Sequence, residues 1–562
     1  RPESAEPGAG RSARRLWMDR LVLVVLGCLL LLPATGTLPL LDRDEPRFAR
    51  ATVEMIEAGE WVVPTFNGAT RFDKPVMTYW LMRVGYGLFG IGELGARFHS
   101  VVCALLTALL LHGMGRRWFG RAAGFWAAAA FLASWQVLVH GRSDVADMPL
   151  ILSIVAVQWS LLELLLGESK RRFAWQGLLY GGLTLGFLTK GPIALLVPAL
   201  ALLLHRWVLA RQALPWRRLG AAWGVPAFLV LIGCWGIPAL VQTGGAFWRE
   251  GMQRHVVDRG LEAFNGRVFI PLLYYPLTSL LTLLPWSAFA WAIAAWARRA
   301  WSARIAFLVA WFAAPYLIFS FYSTQLPHYV LPGFPAYFLL LGAALADGSR
   351  SLRTGRAWFW CVMAAGAVLA LGLLGIGAAM RPPPQAAGLR LVGLGLGSMV
   401  GGLLLIGLFT RMQSGAIAGG VAVVTVGLLL LGHGARSVLP AVRLTPLLRE
   451  VRPRTELVAV GFQEPSLVFY SGRRWRMAGD AAAAAEALDG PFLCVERVGR
   501  VDLDKAVLHW LRGRPMEAAA GPGDGPAARF GRAATRSFAL EGLNTARFSW
   551  ETLRVTVGVH AR

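Results

Sequence analysis

The chain has 562 residues, of which 56% are hydrophobic and only 16% are charged, whereas a typical soluble domain carries about a quarter charged residues. A mean hydropathy of +0.52 excludes an ordinary soluble enzyme and indicates a protein that is largely embedded in a membrane. The net charge of +24 does not predict a nucleic-acid partner, because the basic residues recur in short segments between apolar runs and form no single patch.

Apolar runs of about 17 to 25 residues recur along the first three quarters of the chain, each long enough to cross the membrane as a helix. Thirteen runs are predicted to do so, at 21–41, 96–114, 122–140, 149–167, 175–189, 191–207, 222–241, 271–297, 305–322, 329–346, 357–379, 391–410 and 415–434. The first is predicted to be retained, because it is longer than the apolar core of a cleavable signal. The fold class is therefore an α-helical polytopic membrane protein with about 13 transmembrane helices.

The connections between these spans alternate in charge. Five of them, each after an even-numbered span, are rich in Arg and Lys, namely 115–121, 168–174, 205–218, 298–304 and 347–356. The positive-inside rule places these segments in the cytoplasm. It predicts a basic cytoplasmic segment at 1–20, a transmembrane domain at 21–439 with a large outer loop at 42–95, and an outer domain at 440–562.

The outer domain has a different composition from the rest of the chain. ELVAVGF (456–462), SLVFYSG (466–472) and FLCVERVG (492–499) are predicted to be short strands of a small α/β domain. A glycine-rich segment before it, GLGLGSMVGG (393–402), resembles a dinucleotide-binding loop but lies inside an apolar span. Close helix packing through Gly397 and Gly401 is the favoured interpretation.

The outer loops contain most of the unusual polar chemistry. EPRFARATVEMIEAGEW (45–61) is predicted to form an amphipathic helix in the membrane interface. One face would carry Phe48, Thr52, Met55 and Ile56. The charged residues Arg47, Arg50, Glu54 and Glu57 would lie elsewhere on the helix. Further outer segments are FDKPVMTYW (72–80), SDVADMP (143–149), TKGP (189–192), RHVVDRG (254–260) and HYVLPGFPAY (328–337).

These segments bring cations and carboxylates to one side of the membrane. The cationic or potentially cationic residues are Arg47, Lys74, Lys190, His255, Arg259 and His328, and the acidic residues are Asp44, Glu45, Asp73 and Asp147. Ionisable groups beside hydrocarbon are costly and are usually paired or functional. Local pairs, Asp44 with Arg47 and Asp73 with Lys74, would explain single residues but leave the whole set unexplained.

Such a set suits a reaction at a lipid headgroup. Arg and Lys bind phosphate, and a carboxylate can activate a nucleophile or stabilise positive charge that develops at a sugar carbon. Sugar transfer from a polyprenyl phosphate needs both functions and requires no nucleotide.

The outer segments, from DRDEPRFARATVEM (42–55) to HYVLPGFPAY, resemble in order the motifs of the protein mannosyltransferase-like GT-C glycosyltransferases. They are most similar to the members that transfer aminoarabinose to lipid A, chiefly over residues 20–350. The resemblance implies a GT-C fold and transfer of 4-amino-4-deoxy-L-arabinose from undecaprenyl phosphate to a lipid A phosphate, with inversion. It also implies a location in the bacterial inner membrane, a periplasmic active site and C-terminal domain, contact with membrane lipids, and a role in polymyxin resistance.

The resemblance also implies roles for individual residues. Asp44 matches the principal carboxylate, with Glu45 beside it, and Asp147 matches the second acidic site, although Asp144 stays open for that role. Arg47, Lys74 and Tyr329 match lipid-phosphate positions, and Lys190, His328, His255 and Arg259 are further candidates. No cofactor is expected to be required. A divalent metal stays possible because Asp, Glu and His occur together in these segments, although the sequence fixes no ligand spacing. The oligomeric state is open.

Two other functions remain as alternatives. A protein O-mannosyltransferase-like enzyme would share the loop motifs but transfer the sugar to a hydroxyl. A polyprenyl-lipid flippase would also bind lipid phosphates, but its ionisable residues should line a pathway between repeats at the membrane midplane. Their collection in the outer loops favours an enzyme.

Overall fold

Helices dominate the first 450 residues of the computed structural model, which describes residues 7–168, 170–209, 215–251, 253, 271–348, 355–409, 415–479, 490–514 and 536–559. The amino-terminal part contains α1 (Pro7–Leu31), α2 (Asp44–Glu57), a hairpin of β1 (Thr65–Phe66) and β2 (Ala69–Thr70), α3 (Met77–Phe89), α4 (Glu93–Phe119), α5 (Arg121–Leu132), α6 (Trp135–His140), α7 (Asp147–Leu166), α8 (Arg172–Lys190), α9 (Ile193–Leu203), α10 (Trp216–Leu219), α11 (Ala221–Gln242) and α12 (Ala246–Trp248).

The remaining helices and strands follow in the same order along the chain. They are α13 (Pro271–Thr282), α14 (Ala290–Arg299), α15 (Ala303–Ser320), α16 (Phe334–Ala346), α17 (Arg356–Ala379), α18 (Gly388–Phe409), α19 (Gly415–Val438), α20 (Pro440–Glu450), β3 (Glu456–Val460), α21 (Pro465–Ser471), β4 (Arg476–Ala478), β5 (Pro491–Asp502), α22 (Leu503–Leu511), β6 (Arg536–Asn544) and β7 (Ser549–Val559).

The predicted multi-pass helical architecture is confirmed. Each of the thirteen predicted spans overlaps a helix or a pair of helices. Within the described residues, eight helices are long and apolar enough by themselves to cross a membrane, and nine if Pro271–Thr282 and Trp286–Arg299, bent by 111°, form one span. The other four predicted spans fall on α1, on α5 with α6, on α8 and on α9, which are broken, shorter or less apolar.

The first predicted span differs from the observed helix. The hydropathy pattern predicts 21–41, whereas α1 begins at Pro7 and ends at Leu31. Pro33 explains the early end, because proline cannot donate the backbone hydrogen bond that a helix needs and disfavours helical geometry in the residue before it. Residues 32–41 instead form turns that lead into α2.

The predicted helix in the first outer loop is present as α2, but two residues of its polar side are buried. Phe48, Thr52 and Met55 are buried as expected, and so are Arg50 and Glu54, which are joined by a 3.2 Å ion pair. Both sides of the helix are covered because α3 and α21 pack against it. Arg50 and Glu54, which lie off the predicted apolar face, are therefore buried as an ion pair.

The outer domain is built on a mixed five-stranded sheet with the order β4-β3-β5-β7-β6. β3 pairs in parallel with β4 and β5, and β7 pairs antiparallel with β5 and β6. The predicted strands at 456–462 and 492–499 correspond to β3 and part of β5. SLVFYSG is instead the helix α21, because Pro465 suits the first turn of a helix and Gly472, at φ 65°, ends it in the left-handed conformation.

Glycines let the last two apolar helices, α18 and α19, pack closely. A Cβ atom at Gly395 would lie 2.7 Å from the carbonyl oxygen of Gly427, and one at Gly402 would lie 2.7 Å from that of Gly420. The expected contact at Gly397 is confirmed, 2.9 Å from Ala370 O of α17, whereas Gly401 has no such neighbour within 4 Å. This segment is a helix-packing surface and not a nucleotide loop.

Hydrogen bonds tie the outer domain to the first loop. Asn67 donates to the carbonyl of Trp475 and accepts from its N–H, both at 2.8 Å. Asp42 accepts from the backbone N–H and the hydroxyl of Ser466 at 2.9 and 2.6 Å. The hydroxyl of Tyr470 accepts from Leu40 N–H at 2.9 Å. The segment immediately before α2 is thus held by the outer domain.

Candidate active site

The two adjacent acids at the start of α2 have opposite surroundings. Asp44 is exposed, whereas Glu45 is buried beneath it. Both carboxylate oxygens of Glu45 accept hydrogen bonds from Arg97 of α4, at 2.8 Å from Nε and 2.7 Å from Nη2. The backbone N–H groups of Leu41 and Asp144 complete the set at 2.8 and 3.1 Å. Glu45 therefore anchors the start of α2 and leaves Asp44 presented at its surface.

The helix that carries Arg97, α4, lies very close to α3. A Cβ atom at Gly85 would lie 2.2 Å from the carbonyl oxygen of Gly95. The guanidinium also donates to the backbone carbonyls of Thr35, Leu38 and Pro39. A bidentate pair with its remaining donors satisfied is the arrangement in which a buried charge is tolerated.

Asp44 lies in a mixed field of charges with Arg47, Arg71 and Asp73. The pKa of Arg47 is lowered overall, because burial and the neighbouring guanidinium of Arg71 outweigh the opposing effect of Asp44 and Asp73. Arg71 pairs with Asp73 at 3.2 Å. Lys74 follows directly and donates to the backbone carbonyl of Asp73 at 3.1 Å, so the predicted Asp73–Lys74 contact involves the main chain. These charged residues connect the surroundings of Asp44 with Lys74.

Asp147, the first residue of α7, belongs to a second cluster. Its Oδ1 atom lies 2.7 Å from Nζ of Lys190, the last residue of α8. The rings of His140 and His328 are close to it and to each other, with centroids 4.9 Å apart. Three separate connections of the sequence therefore meet at Asp147.

A cavity of about 140 Å³, here called the Asp147 cavity, opens beside this cluster. Its polar lining consists of Lys74, Asp147, Lys190, Tyr322, His328 and Tyr329. A larger apolar cavity of about 420 Å³ shares Lys74 and Lys190 with it and is otherwise lined mainly by aromatic and aliphatic side chains, including Trp235, Phe247 and Leu240. Together they offer cations to a small anionic group and an apolar surface to a chain attached to it.

Asp144, the alternative second acid, occupies a different environment. Its side chain is fully buried, and neither carboxylate oxygen has a hydrogen-bond partner among the described residues. Burial, followed by the nearby Glu45, raises the pKa of Asp144 well above the usual range of a carboxyl group. It lines neither of the two cavities. The geometry favours Asp147 over Asp144 as the acid that meets a ligand.

The predicted site residues thus form two connected groups. Arg47 and Asp44 lie with Asp73 near the start of α2, and Lys74, Lys190, His328 and Tyr329 surround the Asp147 cavity. Their roles in phosphate binding and catalysis stay predictions. His255 and Arg259 lie outside the described residues.

Sequence reasoning missed Arg97 and His140. Both are ionisable residues that fall inside predicted spans, 96–114 and 122–140, and such residues usually face a partner or a functional cavity. This signal could have marked them as important. It could not have named Glu45 as the partner of Arg97, or Asp147 and His328 as the neighbours of His140.

Comparison with known proteins supports the fold. Residues 73–234 match the family model described as dolichyl-phosphate-mannose-protein mannosyltransferase. The undecaprenyl phosphate-alpha-4-amino-4-deoxy-L-arabinose arabinosyl transferase of Edwardsiella ictaluri is 33% identical over 339 residues, 58% of each chain. A second such transferase, from Pseudomonas fluorescens, is 31% identical over 358 residues, 60% of this chain and 57% of that protein. The matches span less than two thirds of these relatives.

The fold comparison extends over nearly the whole chain. The crystal structure of ArnT from Cupriavidus metallidurans bound to undecaprenyl phosphate superposes with a TM-score of 0.72, covering 96% of this chain and 97% of the other at 22% identity. The chain therefore has the GT-C fold of the ArnT structure. Its sequence is similar to the arabinosyl transferases and, over residues 73–234, to the protein mannosyltransferases.

Proposed function

We propose that this chain is a glycosyltransferase that moves 4-amino-4-deoxy-L-arabinose from undecaprenyl phosphate to a phosphate of lipid A. The observation that carries the proposal is the Asp147 cavity, where Lys74, Lys190 and Tyr329 surround space for an anionic group beside an apolar cavity. A polyprenyl phosphate has this combination of a charged head and an apolar chain. The arabinosyl transferases to which the chain is similar indicate the sugar.

The chemistry follows from the charges. An oxygen of the acceptor phosphate attacks the anomeric carbon, its new bond to that carbon forms, and the bond from the carbon to the donor phosphate breaks with inversion. Lys74 and Lys190 stabilise the negative charge on the departing undecaprenyl phosphate. The acceptor phosphate is already an anion near neutral pH, so no strong general base is needed.

Asp44 is the carboxylate best placed to act on the sugar. Its side chain is exposed, while Glu45 is fully engaged with Arg97. In the proposed complex Asp44 orients the ammonium group of the amino sugar or stabilises positive charge at its anomeric carbon. Arg47, one turn further along α2, is available to the acceptor phosphate.

The proposed location is the bacterial inner membrane, with the active site and the outer domain in the periplasm. The basic connections described above would then lie in the cytoplasm, as the positive-inside rule requires. Lipid A completed on the inner membrane would reach the site laterally. In this arrangement the candidate site residues lie in the connections that are poor in Arg and Lys, on the side of the membrane opposite to the basic connections.

Mass spectrometry of lipid A tests the proposal. A polymyxin-sensitive Gram-negative strain that makes the donor but lacks its own transferase is complemented with the wild-type chain, Asp44→Asn or Asp504→Asn. The wild type and Asp504→Asn, a change at an exposed acid of the outer domain, should add aminoarabinose to lipid A. Asp44→Asn should reduce the product by about 100-fold or more while binding of undecaprenyl phosphate is retained.

The absence of the aminoarabinose increment, with donor present and the chain well expressed, would contradict the proposed substrate. Because residues 73–234 match the mannosyltransferase family, the next assay would then offer polyprenyl-phosphate mannose with a hydroxyl acceptor. Equal transfer by wild type and Asp44→Asn would instead retain the reaction and remove Asp44 from its mechanism.

A further inference from the structure

Two histidines and one aspartate converge at the wall of the Asp147 cavity. One nitrogen of His140, one nitrogen of His328 and one oxygen of Asp147 all lie within 4.8 Å of one another. The three residues come from the end of α6, the start of α7 and the 3-10 turn Pro327–Gly333 before α16. His140 and Asp147 are seven residues apart, whereas His328 lies far along the chain, so only the fold brings all three together.

This set has the chemistry of a transition-metal site. Imidazole nitrogen and carboxylate oxygen are common ligands of Zn²⁺, and three protein ligands leave a position for water or substrate. Metal–ligand bonds of about 2.0–2.2 Å separate neighbouring tetrahedral ligands by roughly 3.3–3.6 Å. Side-chain rotation over a distance on the order of 1 Å would therefore bring the three atoms into coordination geometry.

The surroundings of His140 suit a ligand. Its Nδ1 atom lies 3.0 Å from the side-chain amide of Gln136, one turn earlier on α6. Oxygen and nitrogen of such an amide exchange places when it turns over, so Gln136 can accept a hydrogen bond from Nδ1–H and leave Nε2 for the metal. Hydrogen bonds of this kind orient the imidazole ligands of many metal sites.

Lys190 is the group that competes with a cation. It occupies one oxygen of Asp147 at 2.7 Å and adds a positive charge beside the three ligands. A bound cation must use the other oxygen or displace the ammonium group. A phosphate in the cavity would offset the combined charge of the metal, Lys190 and Lys74.

We propose that His140, Asp147 and His328 form a binding site for a divalent transition-metal cation of the Zn²⁺ class, open on one side to the Asp147 cavity. The open position would accept a water molecule or a phosphate oxygen of a ligand in that cavity.

Cobalt binding provides a direct test. The purified full-length protein is treated with a chelator, returned to detergent without chelator, and titrated with Co²⁺ alone while its visible absorption is recorded. One equivalent should bind with the absorption of a four- or five-coordinate site, and X-ray absorption of the Zn²⁺-loaded protein should show two imidazole ligands. Absence of stoichiometric binding at micromolar cation, or a site without imidazole, would overturn the inference without any variant.

Matched histidine variants locate the site. His140→Gln and His328→Gln should each weaken Co²⁺ binding at least tenfold, whereas His433→Gln, a change at an exposed histidine of α19, should leave it unchanged. If His140→Gln or His328→Gln remains monodisperse and binds Co²⁺ with unchanged affinity, the cation lies elsewhere and the proposal is contradicted.

Lys190→Met gives a result of opposite sign. Removal of the ammonium group frees Oδ1 of Asp147 and takes a positive charge away from the site. The affinity for Co²⁺ should therefore rise by about tenfold. Lower affinity in this variant would count against coordination by Asp147. Because cation binding is measured without donor or acceptor lipid, failure of this inference leaves the proposed sugar transfer intact, and failure of the transfer assay leaves the cation site intact.

Discussion

Glu45 and Asp147 are both buried carboxylates paired with one basic residue, yet they are built for different tasks. Glu45 has both oxygens engaged by Arg97 and by two backbone N–H groups. Asp147 has Lys190 on one oxygen and faces two histidines and a cavity. A buried charge with every hydrogen bond satisfied holds the fold in place, whereas one that lines a cavity keeps capacity to meet a ligand. Their mutants should therefore differ in kind.

Replacement of Arg97 should give the largest effect. Arg97→Gln leaves the charge of Glu45 buried without its partner, which typically costs about 3–5 kcal/mol, and it releases the start of α2. The expected result is a strongly lowered thermal midpoint and little monodisperse protein. Arg116→Gln, at an exposed position of the same helix, should behave as wild type. A well-folded Arg97→Gln protein would remove the distinction between the two carboxylates.

Lys190→Gln should affect ligand binding more than stability. The cavity admits water to Asp147, so the uncompensated charge is better solvated there than at Glu45. The thermal midpoint should fall less than in Arg97→Gln, while the affinity for undecaprenyl phosphate should fall about tenfold or more through loss of a charge-assisted contact. Calorimetric titration with undecaprenyl phosphate measures this. Unaltered affinity in the folded variant would exclude Lys190 from phosphate binding.

Tyr470→Phe tests whether the outer domain positions the first cluster. The change removes the acceptor of Leu40 N–H and a 3.2 Å contact with Glu93, at a cost of about 1 kcal/mol. Hydrogen exchange of residues 40–45 should accelerate, and transfer should slow several-fold because Asp44 follows this segment. Tyr180→Phe serves as the control. Exchange at 40–45 equal to that of wild type would show that the contact does not order the segment.

Asp42 should give the smallest effect, visible as a dependence on pH. Burial raises the pKa of Asp42 to about 7, hydrogen bonds from Ser466 oppose the shift, Glu464 adds to it and Arg47 opposes it. An unfolded carboxyl ionises near pH 4, so the native state loses stability as pH rises from about 4 to 7 and changes little above that.

Asp42→Asn removes this titration. The thermal midpoint of the variant should therefore fall less than that of wild type between pH 5 and pH 7.5, under otherwise equal conditions. An identical pH dependence in the two proteins would show that Asp42 does not titrate in this range. Asn retains one acceptor for Ser466, which limits the loss of the domain contact itself.

The features that could be predicted from the sequence are local, and those that could not depend on packing between separate elements. Apolar runs located the spans because a helix that faces lipid must be apolar over its whole length. Local order also revealed the α2 helix and the motifs that contain Asp44, Lys74, Asp147 and Tyr329. It did not reveal that Arg50 and Glu54 are buried, because this depends on the packing of α3 and the outer domain against α2.

The amino-acid sequence by itself determined the multi-pass helical class, the small α/β domain and the polar segments that form the candidate site. Only the tertiary structure decided that Glu45 belongs to Arg97, that His140 joins Asp147 and His328, and that α21 lies over the segment before Asp44. The physical reason is that hydropathy and helical periodicity act over neighbouring residues, whereas these pairings depend on how separate helices pack and on where each side chain then points.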